Sequence, residues 1–255
     1  MKFLRADGTR MTPAGLDADG KDGCKGQLVD WVQQYQSMDC GGIEVLMGLA
    51  DTRARDRYEA GKDFIYCDHA YFQRGWDTFN FRLVRGDAHL THLIDRPDDR
   101  LKRWGVEIEQ WRKGGRSIVV IVPQWHQCRF YDLHNWHRVV IERLRKVTDR
   151  PIHLKETKGR LRECLLEEQN AHALVCYASV AGMEAALMGI PVFSTERCCS
   201  WPVNAGTLED IERPEYKERH AWACGLAYAS WNASELESID FRDYRYSVKE
   251  TICAS

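Results

Sequence analysis

The run AHALVCYASVAGMEAALMGIPVFS, residues 171–194, constrains the fold more than any other stretch of this chain. Ala173–Tyr177 is short, continuous and apolar, the pattern of a strand buried on both faces. Ser179 then offers a side-chain oxygen to the free amides of a new helix. Val180, Met183, Leu187 and Met188 recur at helical spacing, Gly189 ends the helix, and Ile190–Phe193 opens another strand. Pro191 is tolerated early in that strand, where its missing donor does no harm. The spacing predicts a β-α-β unit, whose ligand crevice lies at the carboxyl end of the first strand.

Glu184 does not suit a plain packing helix. It shares a row with Val180 and Met188, four residues to either side. A carboxylate on a partly apolar row needs a partner, because burying it alone is expensive. A ribose diol is one such partner, with a diphosphate beside it on the amides of Ser179–Ala181. Solvent or a neighbouring Arg is the other.

These residues resemble the nucleotide-sugar-binding segment of GT-B glycosyltransferases, where a strand ends in small residues, a helix begins and a Glu holds the donor ribose. EAALMGIPVF is similar to the Glu-Ala-hydrophobic-x-Gly-x-Pro-hydrophobic tail of those enzymes, and the resemblance covers about 118–232. Ala178-Ser179 stands where many of them carry Gly-Gly. The resemblance implies an α/β fold of two Rossmann-like domains with parallel sheets and an interdomain cleft. It also implies a metal-independent transferase with no cofactor beyond its nucleotide-sugar co-substrate, a UDP-sugar. Tyr177, Ser179, Val180 and Glu184 are the donor-binding residues it places in this stretch.

Whole-chain properties fit a globular protein. The chain has 255 residues, 44% hydrophobic and 29% charged, with a net charge of −2. No apolar run approaches the ~20 residues of a membrane span. MKFLRADGTR lacks the apolar core of a secretory signal, so the expected location is cytoplasmic and no membrane partner is expected. The ten cysteines include an adjacent Cys198-Cys199 but no C-x-x-C, which favours reduced thiols. His134/His137 alone do not make a metal site. Charge is uneven: segment 129–162 carries ten Lys/Arg against four Asp/Glu, and segment 163–255 seven against fifteen. That asymmetry reads either as a basic surface for phosphates or as solvated helix faces.

Along the chain, Lys2–Arg5 reads as a strand, the Gly- and Asp-rich remainder of 1–26 as a loop, and 27–38 as a helix. Ile43–Met47, Asp63–Cys67 and 79–85 read as strands, with a helix or turn at Arg53–Ala60. Gly114-Gly115 reads as a linker. Beyond it come a strand at Ile118–Val122, a loop at Pro123–Asp132, and a helix at His134–Val147 with Trp136, Val139, Val140 and Leu144 inward. A strand at Pro151–Leu154 and a helix at Leu161–Glu168 lead into the central unit, and Tyr216–Tyr228 reads as a final helix. Alternating strands and helices argue for a parallel sheet. The expected division is an acceptor-side domain at 1–115, a donor domain at 116–232, and a tail at 233–255 returning to the first domain.

Asp68-His69 follow a strand, where parallel sheets present catalytic side chains. Inverting transfer needs a base to take the acceptor hydroxyl's proton, and neighbouring strand residues face opposite sides, so one of the two is expected to serve. Asp68 is preferred; the alternative is a capping Asp68 beside a packing His69. Lys155 ends a strand and Arg160 and Arg162 open a helix, where cations would stabilise a departing diphosphate. Gln124, in the loop after the strand 118–122, is a further donor contact. There is no G-x-S-x-G elbow, no G-x-x-x-x-G-K-[ST] loop and no glycine-rich nicotinamide turn.

The short chain resembles compact glycosyltransferase-like proteins of bacteriophages, several of which glycosylate hydroxymethylated pyrimidines. Double-stranded DNA with modified bases is the acceptor this suggests, and host cytoplasm the location. Trp76 and Trp201 are aromatics placed to meet a base. The alternatives are transfer to a glycan or small molecule, a nucleotide-sugar epimerase, and a catalytically silent nucleotide- or DNA-binding module.

Overall fold

In a computed structural model, which describes residues 44–47, 56, 59–74, 80–156, 160–232 and 235, the chain forms two compact units. The first comprises 1–88 and 226–255, and the second 89–225. The readings of a strand at Lys2–Arg5, the loop through residue 26, the helix at 27–38, Trp76 and most of the tail lie outside the described residues.

The second unit carries the central β-α-β motif. Strands β4 (Ser117–Ile121), β5 (Ile152–Lys155), β6 (Ala171–Cys176) and β7 (Val192–Ser194) form a parallel sheet in the order β5-β4-β6-β7. β4 and β6 are buried along their whole length, as their unbroken apolar runs require. Helix α3 (Trp136–Leu144) covers one face, with Val140 and Leu144 packed on Ile118, Val120, Val175 and Phe193. Each such side chain fully removed from water contributes about 1.5–3 kcal/mol. Val139, expected inward, is 53% exposed, because the buried row runs from Val140 to Leu144 and Val139 sits about 100° away from it.

Other boundaries differ from the sequence reading. The expected loop at Pro123–Asp132 contains helix α2 (Trp125–Tyr131), closed by Asp132 in the left-handed region. α4 (Leu161–Glu163) passes into a π-helical turn, Cys164–Glu168. The last helix, α6, covers only His220–Tyr228. Gly114-Gly115 lies inside the second unit; a Cβ on Gly115 would stand 2.5 Å from the Ala171 carbonyl oxygen. Gly189 ends helix α5 (Val180–Leu187) at φ +74°, and a Cβ there would stand 2.0 Å from the Gln110 oxygen. The segment before β4 therefore packs on the end of α5, with Glu109 N donating to Leu187 O at 2.8 Å and Arg112 N to Gly189 O at 2.7 Å.

The first unit departs from the expected parallel sheet. β1 (Glu44–Met47) runs parallel to β2 (Phe64–His69), but β3 (Asn80–Arg85) and β8 (Ser230–Asn232) complete the order β1-β2-β3-β8 antiparallel. Residues 70–79 are too few for the crossover that parallel neighbours need. Asp68 and His69 are the last two residues of β2 itself, not of a loop beyond it. Charged helix α1 (Asp99–Arg103) belongs to the second unit. Among the described residues no helix is long and apolar enough to cross a membrane.

Candidate functional site

The order β5-β4-β6-β7 contains one topological switch point. The chain leaves β4 toward β5 on one side and returns to β6 on the other, so the loops at the carboxyl ends of β4 and β6 separate and leave a crevice. Gln124 is the N-cap of α2, and its backbone N–H donates to Gln127 Oε1 at 3.0 Å. Gln127 Nε2 donates to Ala178 O at 2.7 Å, which ties the two loops together. On the β6 side Ser179 is the N-cap of α5, its Oγ accepting from Ala181 N at 3.2 Å while its carbonyl accepts from Gly182 N at 3.0 Å. No acidic residue lies in the first turn of α5, so its positive end is not neutralised from within.

Aromatic rings gather at the carboxyl end of β6. Tyr177 lies 5.1 Å from Tyr131 and 6.0 Å from Trp136, edge-on to the latter. The Tyr177 hydroxyl donates to Glu196 at 3.4 Å, and Trp136 Nε1 donates to Thr195 Oγ1 at 2.9 Å. Trp125, the first residue of α2, is 69% exposed. Behind α5 lies a buried set of hydroxyls and thiols, with Ser194 Oγ 2.7 Å from Ser200 Oγ, 3.6 Å from Cys176 Sγ and 3.4 Å from Cys198 Sγ.

Gln124, Tyr177, Ser179 and Val180 are thus brought together at the switch point. Glu184 lies one turn further along α5, half-buried between buried Val180 and Met188 on its row. Lys155 ends β5 on the neighbouring strand, and its Nζ donates to the Glu156 carbonyl at 3.3 Å. The two arginines behave differently. Arg160 is an exposed N-cap residue paired with Glu163 at 2.7 Å. Arg162 pairs with Glu109, whose backbone is bonded to the C-terminal end of α5, and so it is directed away from the crevice.

In the first unit, cross-strand register places Arg82 of β3 opposite Asp68 of β2. Arg82 Nη2 donates to Asp68 Oδ2 at 3.1 Å and Nη1 to His69 O at 3.0 Å. Tyr66 donates its hydroxyl to Asp68 Oδ2 at 3.0 Å, and His69 N donates to Oδ1 at 2.8 Å. The guanidinium lies over Tyr66 and Tyr71, 5.4 and 5.3 Å from their centroids. Burial by itself would raise the Asp68 pKa, but Arg82 and the donated hydrogen bonds outweigh it and hold the carboxyl at about 2. A carboxylate so stabilised is a poor proton acceptor near neutrality.

Sequence reasoning missed Gln127, Glu196, Thr195 and the Tyr131–Tyr177–Trp136 cluster. Gln124 and Gln127, three residues apart at a strand-to-helix junction, carry the one local signal, a glutamine version of the capping box. No protein-family profile matches this chain, and no curated protein sequence matches it significantly.

Proposed function

We propose that the second unit binds the nucleoside diphosphate of a nucleotide-sugar in the β4/β6 crevice and that the protein is a GT-B-type glycosyltransferase. The observation that carries this reading is the start of α5 at the switch point, its cap satisfied by Ser179 and its first turn free of acid. A diphosphate placed there meets the amide end of the helix and its dipole, and Glu184 follows one turn later for the ribose. Tyr177 and the adjacent rings offer an apolar wall to the sugar or base. With Asp68 committed to Arg82, His69 is the stronger candidate for the base that deprotonates an acceptor hydroxyl.

Calorimetry with UDP and other nucleoside diphosphates tests the donor half. Glu184→Ala should weaken binding by about 1–3 kcal/mol, the usual cost of losing hydrogen bonds to a charged group. Unchanged binding in a folded variant removes Glu184 from the site. Mass spectrometry of hydroxymethylated duplex DNA, glycans and small alcohols, each incubated with a panel of nucleotide-sugars, tests transfer. His69→Ala should abolish the product and Asp68→Asn reduce it less.

The Asp68–Arg82 pair also favours a second reading, a nucleotide-binding module without transfer activity, because it removes the carboxylate base. Diphosphate binding with no product on any acceptor supports that reading over the first.

A further inference from the structure

The amino ends of β4 and β5, at the opposite edge of the sheet from the crevice, border an open groove of about 690 Å³. Arg150 and Glu212 build its floor. Arg150 Nε bonds Glu212 at 2.9 and 3.0 Å, its Nη1 donates to Gly115 O at 2.5 Å, and Thr148 donates to the same carboxylate. Glu212 is thereby neutralised. Arg116, Arg145 and Lys146 line the same groove, all exposed, and among the described residues their side chains have no hydrogen-bond or ion-pair partner. Exposed Asp149 is the only uncompensated acid in the lining, so the groove carries an excess of positive charge.

Arg143 supplies the contrast. It lies two residues from Arg145 on the same helix end, yet its Nη2 is bonded to Glu209 Oε1 at 2.7 Å. The basic character of segment 129–162 is therefore not a uniform solvated face. Outside the groove Arg143, Arg160 and Arg162 answer to acids and Arg138 stands exposed on α3, while Arg145 and Lys146 open together onto the groove.

We infer that this groove holds the phosphodiester backbone of duplex nucleic acid. Three cations this exposed each contribute little to a single small anion, since water and salt screen them. A polymer that presents phosphates in series engages all three at once and releases condensed counterions for each. The lining contains no aromatic side chain on which an unpaired base would stack, which favours a duplex over a single strand. Contacts of this kind position a duplex without reading its sequence. The inference rests on nothing in the crevice and stands if the donor reading fails, but it supplies a docking surface if the acceptor is DNA.

The test is fluorescence anisotropy of the full chain with a short labelled DNA duplex over a range of salt. Three phosphate contacts give a log–log slope of about −2.7, a loss of roughly fortyfold between about 50 and 200 mM salt. Arg116→Gln, Arg145→Gln and Lys146→Gln should each flatten the slope by about one unit, and the triple variant should remove nearly all of it. Arg143→Gln should leave it unchanged. Thermal melting of each variant confirms folding, and nucleoside diphosphate calorimetry on the triple variant should match the unmodified chain, which separates this surface from the crevice. Equal duplex binding by the triple variant overturns the inference, as does an Arg143→Gln effect as large as that of Arg145→Gln. Tighter binding of single strands than of duplex also overturns it, as does displacement of the duplex by an acidic protein or inorganic phosphate at matched ionic strength.

Discussion

Strands β2 and β6 end alike in sequence and unlike in structure. Each is a buried apolar run that delivers polar side chains at its carboxyl end, Asp68-His69 in one case and Tyr177–Ser179 in the other. At β2 the carboxylate is consumed. Asp68 takes hydrogen bonds from Tyr66, Arg82 and the His69 amide, and Arg82 in turn holds the His69 carbonyl. At β6 a short side chain caps one amide of α5 and leaves the positive end of the helix facing the crevice. The difference follows from the partner strand. β3 is antiparallel and puts Arg82 directly across from Asp68, whereas β6 lies between parallel strands, β4 running on into α2 and β7 into a bend, and neither sets a cation against Ser179. A strand end shows where a side chain is delivered, and the neighbouring strand decides whether it remains available.

The largest expected effect comes from breaking the β2 arrangement. Arg82 is 3% exposed, and Arg82→Leu leaves the Asp68 carboxylate without its cation, a loss of about 3–5 kcal/mol in denaturant unfolding. Adding Asp68→Asn should recover most of that loss, because it removes the uncompensated charge. If the single variant is as stable as the unmodified chain, the pair does not organise the end of β2.

The same pair sets an acid limit. The folded-state pKa of Asp68 is lowered from 3.8 to about 2, so its contribution is fully present above pH 3.8 and is lost as pH falls through about 2. The lost contribution is about 2 kcal/mol. Urea unfolding between those limits should show stability falling with pH, and Asp68→Asn should flatten that slope. No comparable acid limit is expected from the start of α5, whose cap is a neutral serine.

At the crevice the effects are smaller. Gln127→Ala removes the bonds to Gln124 N and Ala178 O, two half-buried contacts together worth about 1–3 kcal/mol. Stability should fall by that amount, and diphosphate binding should weaken with it, because the two loops lose their tie. A stability loss without any binding loss would make Gln127 a structural cap only.

Much of the second unit was legible in the sequence because its signals are local. The strand read at 173–177, which the structure places at Ala171–Cys176, the Ser179 cap, the α5 row and the Gly189 stop all follow from period and cap chemistry within one short run. Helix α2 was missed because WHQCRFY has no apolar stripe at helical spacing and its cap is formed by a glutamine. Apart from the local Arg160–Glu163 pair, the fate of the cations was not legible. Arg162 answers to Glu109, Arg143 to Glu209 and Arg150 to Glu212, partners more than fifty positions distant in the chain that no periodicity connects. The antiparallel turn of the first sheet was hidden for a related reason, since a buried strand reads the same whichever way its neighbour runs.

Ser179 offers the finest test, because cap and ligand contact make different demands on it. As an N-cap its Oγ accepts from Ala181 N, and Ser179→Ala should cost about 1 kcal/mol of stability, while Ser179→Gly should cost only a few tenths. If the hydroxyl also donates to a bound phosphate, both variants lose that bond, and diphosphate affinity falls about equally in the two. If the phosphate is held by the amides and the dipole alone, the affected step is helix organisation, and affinity follows stability, lower for Ala than for Gly. Calorimetry and thermal melting on the same two proteins separate the cases. Unchanged affinity in both variants, with the expected order of stability, would place the anion elsewhere and leave the start of α5 as structure alone.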